Sequence, residues 1–87
     1  MESFKEFLES SIFKNTFEYF LKKDTEFYVV GGAIRDFLLD KKEIKDLDIL
    51  IPFNPAQIIY ELSKKTGGHP FLLDEERKEW RIVLNNN

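Results

Sequence analysis

The hydrophobic positions near the N-terminus recur at intervals of three to five residues. The apolar set is Phe4, Phe7, Leu8, Ile12, Phe13, Phe17, Phe20 and Leu21. This spacing follows one stripe of an α-helix, with Lys and Glu on the opposite side. It predicts an amphipathic helix that covers a sheet, divided in two at Ser10-Ser11 or at Asn15-Thr16. A membrane-surface helix is the alternative, but the mixture of acids and bases on the polar side weighs against it.

After residue 25 the pattern changes to short apolar runs separated by glycine, proline and charged residues. These runs are rich in β-forming residues, and the predicted strands are 26–30, 46–51, 71–73 and 80–84. Helical spacing predicts two further helices, at 33–39 and from Asn54-Pro55 to Gly67-Gly68. Residues 40–43 are predicted to form a polar loop, and residues 74–78 the turn of a hairpin. The order predicts an α+β fold with a short mixed sheet and helices packed on one side.

Length and composition are consistent with one small domain over residues 1–87. Hydrophobic residues make up 43% of the chain, which is enough for one core. The absence of cysteine excludes disulfides and cysteine-ligated zinc. No apolar run is long enough to span a bilayer, so we expect a cytoplasmic protein without a membrane partner. The net charge of −3 lacks the basic excess typical of domains that hold RNA by themselves.

Two acidic residues separated by one position mark the predicted strand 46–51. Asp46 and Asp48 are two positions apart, and such side chains point to the same face of a strand. Leu47 would then point into the core. Two carboxylates held together favour a divalent cation, and Mg²⁺ is usually held by one or two carboxylates together with substrate phosphates. A solvated acidic edge is the simpler alternative.

Gly31 and Gly32 lie between a predicted strand and a predicted helix. Glycines allow a sharp turn and the close approach of a ligand, and a helix N-terminus offers N–H groups to phosphate. Arg35 follows, and its planar fork suits bidentate anion binding. The simpler alternatives are an ordinary corner for the glycines and, for Arg35, an ion pair with Asp36 or Asp46. The glycine turn followed by two acids on the next strand favours a site for phosphate and metal.

The run YVVGGAIRDFLLDKKEIKDLDIL, residues 28–50, resembles the first motif of class II tRNA nucleotidyltransferases (CCA-adding enzymes) and the related bacterial poly(A) polymerases. That motif is a strand, Gly-Gly-x-Val/Ile-Arg-Asp, a short Leu-Leu-Gly segment and Asp-x-Asp. The run GGHPFLLDEERKEWRIVL, residues 67–84, resembles the turn and hairpin that follow in that family. The resemblance covers nearly the whole chain from Phe27 on. It implies a small nucleotidyltransferase-type core.

The resemblance also implies a role for each residue of the motif. Asp46 and Asp48 would be the catalytic pair and the ligands of Mg²⁺. The nucleotide-binding residues would be Gly31, Gly32, Arg35 and Asp36, with Asp36 ordering the turn. Asp40 stands where the family usually has glycine, and Asp tolerates unusual backbone angles better than most residues.

The implied function is that of a transferase in tRNA and RNA 3′-end processing. Such an enzyme adds nucleotides from CTP or ATP to an RNA 3′ end, without a template and with Mg²⁺. The chain ends before a further family motif containing Arg-Arg-Asp, so we expect a truncated head domain, with its motif at 27–51, whose RNA contacts lie elsewhere. The alternative is a catalytically incomplete fragment or relative that binds nucleotide or a partner without turnover. A homodimer through uncovered apolar surface is a further expectation.

Three residues of the predicted hairpin have two interpretations each. Trp80 fits the core better than a platform for base stacking. Arg77 and Arg81 could contact RNA or ATP, but salt bridges to the adjacent acids are the simpler interpretation.

Overall fold

The helices and strands follow one another in the predicted order in a computed structural model that describes residues 3–41 and 43–85. The helices are α1 (Phe4–Glu9), α2 (Lys14–Lys22), α3 (Gly32–Leu38) and α4 (Ala56–Thr66). The strands are β1 (Tyr28–Val30), β2 (Asp46–Ile51), β3 (His69–Asp74) and β4 (Glu79–Asn85). Lys42, in the predicted polar loop, lies outside the described residues.

The N-terminal apolar stripe is divided at the serine pair. Ser10 is the C-cap of α1, and the Ser11 hydroxyl donates a hydrogen bond of 2.7 Å to the Leu8 carbonyl. The Ser11 hydroxyl also accepts a 3.1 Å hydrogen bond from the backbone N–H of Phe13. Serine side chains that bond to nearby backbone groups in this way compete with helical hydrogen bonds. The break at Ser10-Ser11 is therefore confirmed, and α2 runs without interruption through residues 15–16.

The four strands form one sheet in the order β1-β2-β4-β3, and every pair is antiparallel. The α+β class is confirmed, but the prediction of a mixed sheet is wrong for the described strands. The reason is the hairpin of β3 and β4, because its second strand inserts between β2 and β3. Strands that run in the same direction, β1 with β4 and β2 with β3, are consequently never neighbours.

One face of the sheet carries the hydrophobic core. The core-facing side chains of the two central strands are Leu47, Ile49, Ile51, Trp80, Ile82 and Leu84, all of them buried. They pack in one cluster with buried residues of α1, α2 and α4, such as Phe20, Ile59 and Leu62. The alternate residues of β2 and β4 lie on the opposite face and are half-buried or exposed. Helices packed on one side, as predicted, therefore leave an open sheet face.

Three expectations about the whole chain are limited by what the structure describes. A single domain over residues 1–87 stays a prediction, since residues 1–2 and 86–87 lie outside the described part. Within residues 3–41 and 43–85, no helix combines the length and apolarity that crossing a bilayer requires. Exposed apolar side chains such as Tyr28 and Phe71 lie on the open face of the sheet, and the predicted homodimer stays a prediction.

Candidate active site

The two acids of β2 lie on the open face of the sheet. Leu47 between them is 0% exposed in the core, whereas Asp46 is exposed and the Asp48 side chain is 15% exposed. Because side chains alternate along a strand, Asp46 and Asp48 share the face opposite the helices. The structure thus places both carboxylates on the face of the sheet that the helices leave open.

The glycine turn passes directly beside Asp48. The antiparallel register pairs Val30, the last residue of β1, with Asp48, so the next residue reaches that carboxylate. A Cβ added at Gly31 would lie 3.4 Å from Oδ2 of Asp48. Gly31 has φ 75° and ψ −142°, a combination that residues with a Cβ avoid. This position therefore requires glycine for its backbone, and the missing side chain leaves room beside the acid.

Charged residues line a cavity of about 230 Å³ next to this turn. Its walls are formed by Gly32, Arg35, Asp36, Lys41, Glu43, Lys45 and Asp46. Four of the predicted site residues therefore meet at one cavity, while Gly31, in the turn after β1, and Asp48, on β2, are not among its lining residues. Three of the lining residues are cationic and three are acidic, so the cavity wall is formally neutral.

Arg35 and Asp36 also contact each other, as the simpler interpretation of Arg35 predicted. Nε of Arg35 lies 3.7 Å from Oδ1 of Asp36, and the Arg35 side chain remains largely exposed. A Cβ at Gly32 would lie 3.2 Å from Nη2 of Arg35, so the guanidinium folds back over the start of α3. The Asp36 side chain is only 13% exposed, but the long 3.7 Å contact and the exposure of Arg35 leave the guanidinium able to turn toward an anion.

Asp48 is held by an arginine that belongs to the hairpin. Arg81 donates from Nε to Oδ1 of Asp48 at 2.8 Å, and its Nη2 lies 2.6 Å from Oδ2. The register pairs Asp48 with Val83 and Leu50 with Arg81, which makes Arg81 the diagonal neighbour of Asp48 on the open face. This hydrogen bond and the negative charge of Asp48 raise the pKa of Arg81, while burial lowers it slightly. The guanidinium therefore stays charged throughout the physiological range.

The hairpin arginines follow the sequence interpretation in one case of two. Arg77 pairs with a nearby acid, since its Nε lies 3.9 Å from Oδ2 of Asp74. The expectation that Arg81 also pairs with an adjacent acid is wrong, because β4 carries it to an acid 33 positions away. Trp80, on the other face of β4, is buried in the core as predicted.

Two lysines of this region were not singled out from the sequence. Lys41 and Lys45 belong to a charged loop that resembles any solvated connection, and only the cavity shows that they face the glycine turn. Arg81 was named from the sequence, but its partner Asp48 was not, because the sequence does not reveal which strand pairs with β4. Asp40, in the place of a family glycine, adopts φ 57°, so an Asp does take the unusual backbone angle there.

The donor set suits a metal ion that arrives with a ligand. Within residues 3–41 and 43–85, no group of three or more His, Asp or Glu side chains could hold a metal ion. Two carboxylates on one face, Asp46 and Asp48, are nevertheless the hard oxygen donors that Mg²⁺ takes in company with phosphates. The residues present therefore fit Mg²⁺ together with a nucleotide, rather than a cage made by protein alone.

Comparison with known proteins identifies the family. Residues 27–87 match the family described as the Poly A polymerase head domain. This match includes β1, the glycine turn, both acids of β2 and the hairpin, so the chain belongs to this family. The resemblance found in the sequence is thereby confirmed.

Two curated relatives are similar to parts of the chain. The CC-adding tRNA nucleotidyltransferase of Thermus thermophilus is 35% identical over 68 residues, which cover 78% of this chain and 15% of that protein. The A-adding tRNA nucleotidyltransferase of Aquifex aeolicus is 41% identical over 46 residues, which cover 51% of this chain and 6% of that protein. The chain thus spans a small part of the length of both relatives. No solved structure matches the chain significantly.

Proposed function

We propose that the chain is the head domain of a template-independent nucleotidyltransferase that adds nucleotides from CTP or ATP to the 3′ end of an RNA, with tRNA as the expected acceptor. The observation that carries this proposal is the glycine turn at Gly31, which lies against Asp48. The adjacent cavity is lined by Asp46 and by three cationic side chains. Membership of the head-domain family supports it, as do two relatives named for the addition of nucleotides to tRNA.

The proposed reaction is a phosphoryl transfer at the α-phosphate. The 3′ hydroxyl oxygen of the RNA forms a bond to the α-phosphorus, and its proton passes to solvent. The bond from that phosphorus to the oxygen that bridges to the β-phosphate breaks, and pyrophosphate leaves with the electron pair. Asp46 and Asp48 would hold Mg²⁺, which supplies charge neutralisation for the triphosphate and the leaving pyrophosphate. The remaining contribution of the protein is positioning and fixed charge.

The surrounding residues bind and orient the nucleotide in this proposal. The absence of a side chain at Gly31 and Gly32 lets the triphosphate approach the backbone next to the carboxylates. Arg35, Lys41 and Lys45 offset the negative charge of the phosphates, and the fork of Arg35 can bind two phosphate oxygens. Their charges are already balanced by acids of the same cavity, so the protein binds the nucleotide together with its metal rather than free triphosphate.

The first experiment compares two acids that are both paired with arginine. Binding of ATP and CTP in the presence of Mg²⁺ is measured by calorimetry for the wild type, Asp48→Asn and the control Asp74→Asn. Asp74 pairs with Arg77 in the hairpin turn, so its variant removes the same charge away from the glycine turn. We expect Asp48→Asn to weaken binding strongly and Asp74→Asn to leave it unchanged. Equal binding by all three proteins would reject the site.

A second candidate function is nucleotide binding without turnover. The net charge of −3 and the balanced charges of the cavity favour it, because a chain that held RNA by itself would need a basic surface. Extension of a tRNA that lacks its 3′ terminus, with radiolabelled nucleotide, separates the two functions. Product formed by the 87-residue chain would exclude the second function, and tight Mg²⁺-nucleotide binding without product would support it.

A further inference from the structure

The ion pair of Arg81 and Asp48 occupies the carboxylate that the proposed reaction needs. Both oxygens of Asp48 are engaged, with Nε of Arg81 at 2.8 Å from Oδ1 and Nη2 at 2.6 Å from Oδ2. A metal ion on the same carboxylate would face the positive charge of the guanidinium at short range, and like charges at such distances repel. In this arrangement Arg81 and a divalent cation compete for Asp48.

The side chain of Arg81 can leave without disturbing the fold. Trp80 and Ile82 on either side of it are buried in the core, so the backbone of β4 is anchored. The Arg81 side chain itself is 44% exposed on the open face, whereas that of Asp48 is 15% exposed. Because the guanidinium already reaches solvent, it is hydrated when it leaves Asp48, and the exchange leaves no charge of Arg81 buried.

The pair also accounts for the position of Asp48 when no metal is bound. Asp46 and Asp48 share one face of β2, and Asp48 lies against the glycine turn. A Cβ at Gly31 would lie 3.4 Å from Oδ2 of Asp48. The guanidinium neutralises Asp48 and fixes its rotamer with one hydrogen bond from Nε to Oδ1 and an ion-pair contact from Nη2 to Oδ2. The carboxylate is thus held ready on the open face.

From these contacts we propose that Arg81 is a positioning residue that holds Asp48 in the metal-free protein and yields it to Mg²⁺ arriving with a nucleotide. The released guanidinium then faces the triphosphate, whose oxygens suit its planar fork. Competition from Arg81 would weaken the binding of Mg²⁺ alone at Asp48. Binding of Mg²⁺ together with a nucleotide would be favoured, because the triphosphate then interacts with the released guanidinium. The inference rests on the proposed function, because it assumes that Asp48 is a metal ligand.

The test measures metal affinity rather than activity. Binding of Mn²⁺, a paramagnetic substitute for Mg²⁺, is followed by electron paramagnetic resonance for the wild type, Arg81→Gln and Arg77→Gln, with folding checked by circular dichroism. Arg77→Gln is the matched control, since Arg77 pairs with Asp74 in the hairpin turn and its loss changes the net charge equally. We expect Arg81→Gln to bind Mn²⁺ about fivefold more tightly than the wild type, and Arg77→Gln to bind within about a factor of two of it.

Two further variants separate failure of this inference from failure of the proposed function. If Asp48→Asn loses Mn²⁺ binding but Arg81→Gln binds no more tightly than Arg77→Gln, the exchange is overturned and the metal site stands. If the double variant Asp48→Asn with Arg81→Gln binds Mn²⁺ as tightly as Arg81→Gln does, the metal site fails and the exchange fails with it.

The wild-type protein provides a test that needs no substitution. The Nε–H resonance of Arg81 is followed by ¹⁵N nuclear magnetic resonance during titration with Mg²⁺ and a non-hydrolysable ATP analogue, with Arg77 as the internal reference. If Mg²⁺ replaces Arg81 at Asp48, the Arg81 Nε–H resonance should shift and its proton should exchange faster with water. The Arg77 resonance should show neither change. An unchanged Arg81 resonance at saturation would show that the ion pair persists and would overturn the inference.

Discussion

Replacing Gly31 with alanine perturbs the turn that brings β1 against Asp48. The backbone at Gly31 has φ 75° and ψ −142°, outside the regions that residues with a Cβ populate. Holding a non-glycine residue in such a region costs of order 1–3 kcal/mol. The added Cβ would lie 3.4 Å from Oδ2 of Asp48, an ordinary contact distance, so backbone strain rather than a clash sets the magnitude.

Gly67 offers a matched control, because it also has a positive φ. It ends α4 in the left-handed region, with φ 78° and ψ 12°, and an added Cβ would meet no atom within 4 Å. That region is allowed for L-residues at a cost of about 1–2 kcal/mol, part of which is offset by the reduced freedom of the unfolded chain. We therefore expect Gly67→Ala to lose about 1 kcal/mol of unfolding free energy and Gly31→Ala about 2–3 kcal/mol.

Urea unfolding followed by tryptophan fluorescence measures both variants. Trp80 is the only tryptophan in the chain, and it is 8% exposed in the core, so its emission reports loss of the fold. In thermal unfolding, each 1 kcal/mol corresponds to about 4–8 °C for a domain of this size. If Gly31→Ala costs no more than Gly67→Ala, the argument that the turn beside Asp48 requires glycine is refuted.

Three further predictions concern the core, one ionisable group and the cavity. Phe20 is 0% exposed, so Phe20→Ala should lower the unfolding free energy by about 3–5 kcal/mol in the same urea assay. Its neighbour Leu21 is exposed, so the control Leu21→Ala should lower it by less than about 1 kcal/mol. The Tyr28 hydroxyl donates a 2.8 Å hydrogen bond to Glu26, and this bond and the charge of Glu26 raise the pKa of Tyr28 above 10.0. Because the pKa of Tyr28 is higher in the folded state, the stabilisation is fully present below the pKa of the unfolded state. It is lost as pH rises through the pKa of the folded state. The stability difference between wild type and Tyr28→Phe should accordingly be constant up to about pH 10 and shrink above it; a difference that survives at higher pH contradicts the assignment. Lys45→Gln should weaken Mg²⁺-ATP binding about twofold at low salt and less at high salt, as measured with a fluorescent nucleotide, and an effect independent of salt would contradict a phosphate contact.

Local patterns in the sequence determined the elements and the kind of chemistry. The apolar run that carries Asp at its first and third positions and is stopped by Pro52 predicted β2 with its observed bounds, 46–51, and placed Asp46 and Asp48 on one face. The break at Ser10-Ser11 was one of two predicted possibilities, because hydroxyl competition is local but the choice between two such sites depends on packing. The motif of glycine turn and acid pair is equally local, which is why the family was recognisable from the sequence.

Only the tertiary structure decided which distant residues share the site. The hairpin inserts β4 between β2 and β3, and this makes the sheet antiparallel and carries Arg81 to Asp48 across 33 positions. Strand register is set by the packing of one whole face into the core, so a local pattern tells which face a residue occupies but not which residue it meets. The same holds for Lys41 and Lys45, whose loop becomes part of a cavity only when α3 packs against the sheet.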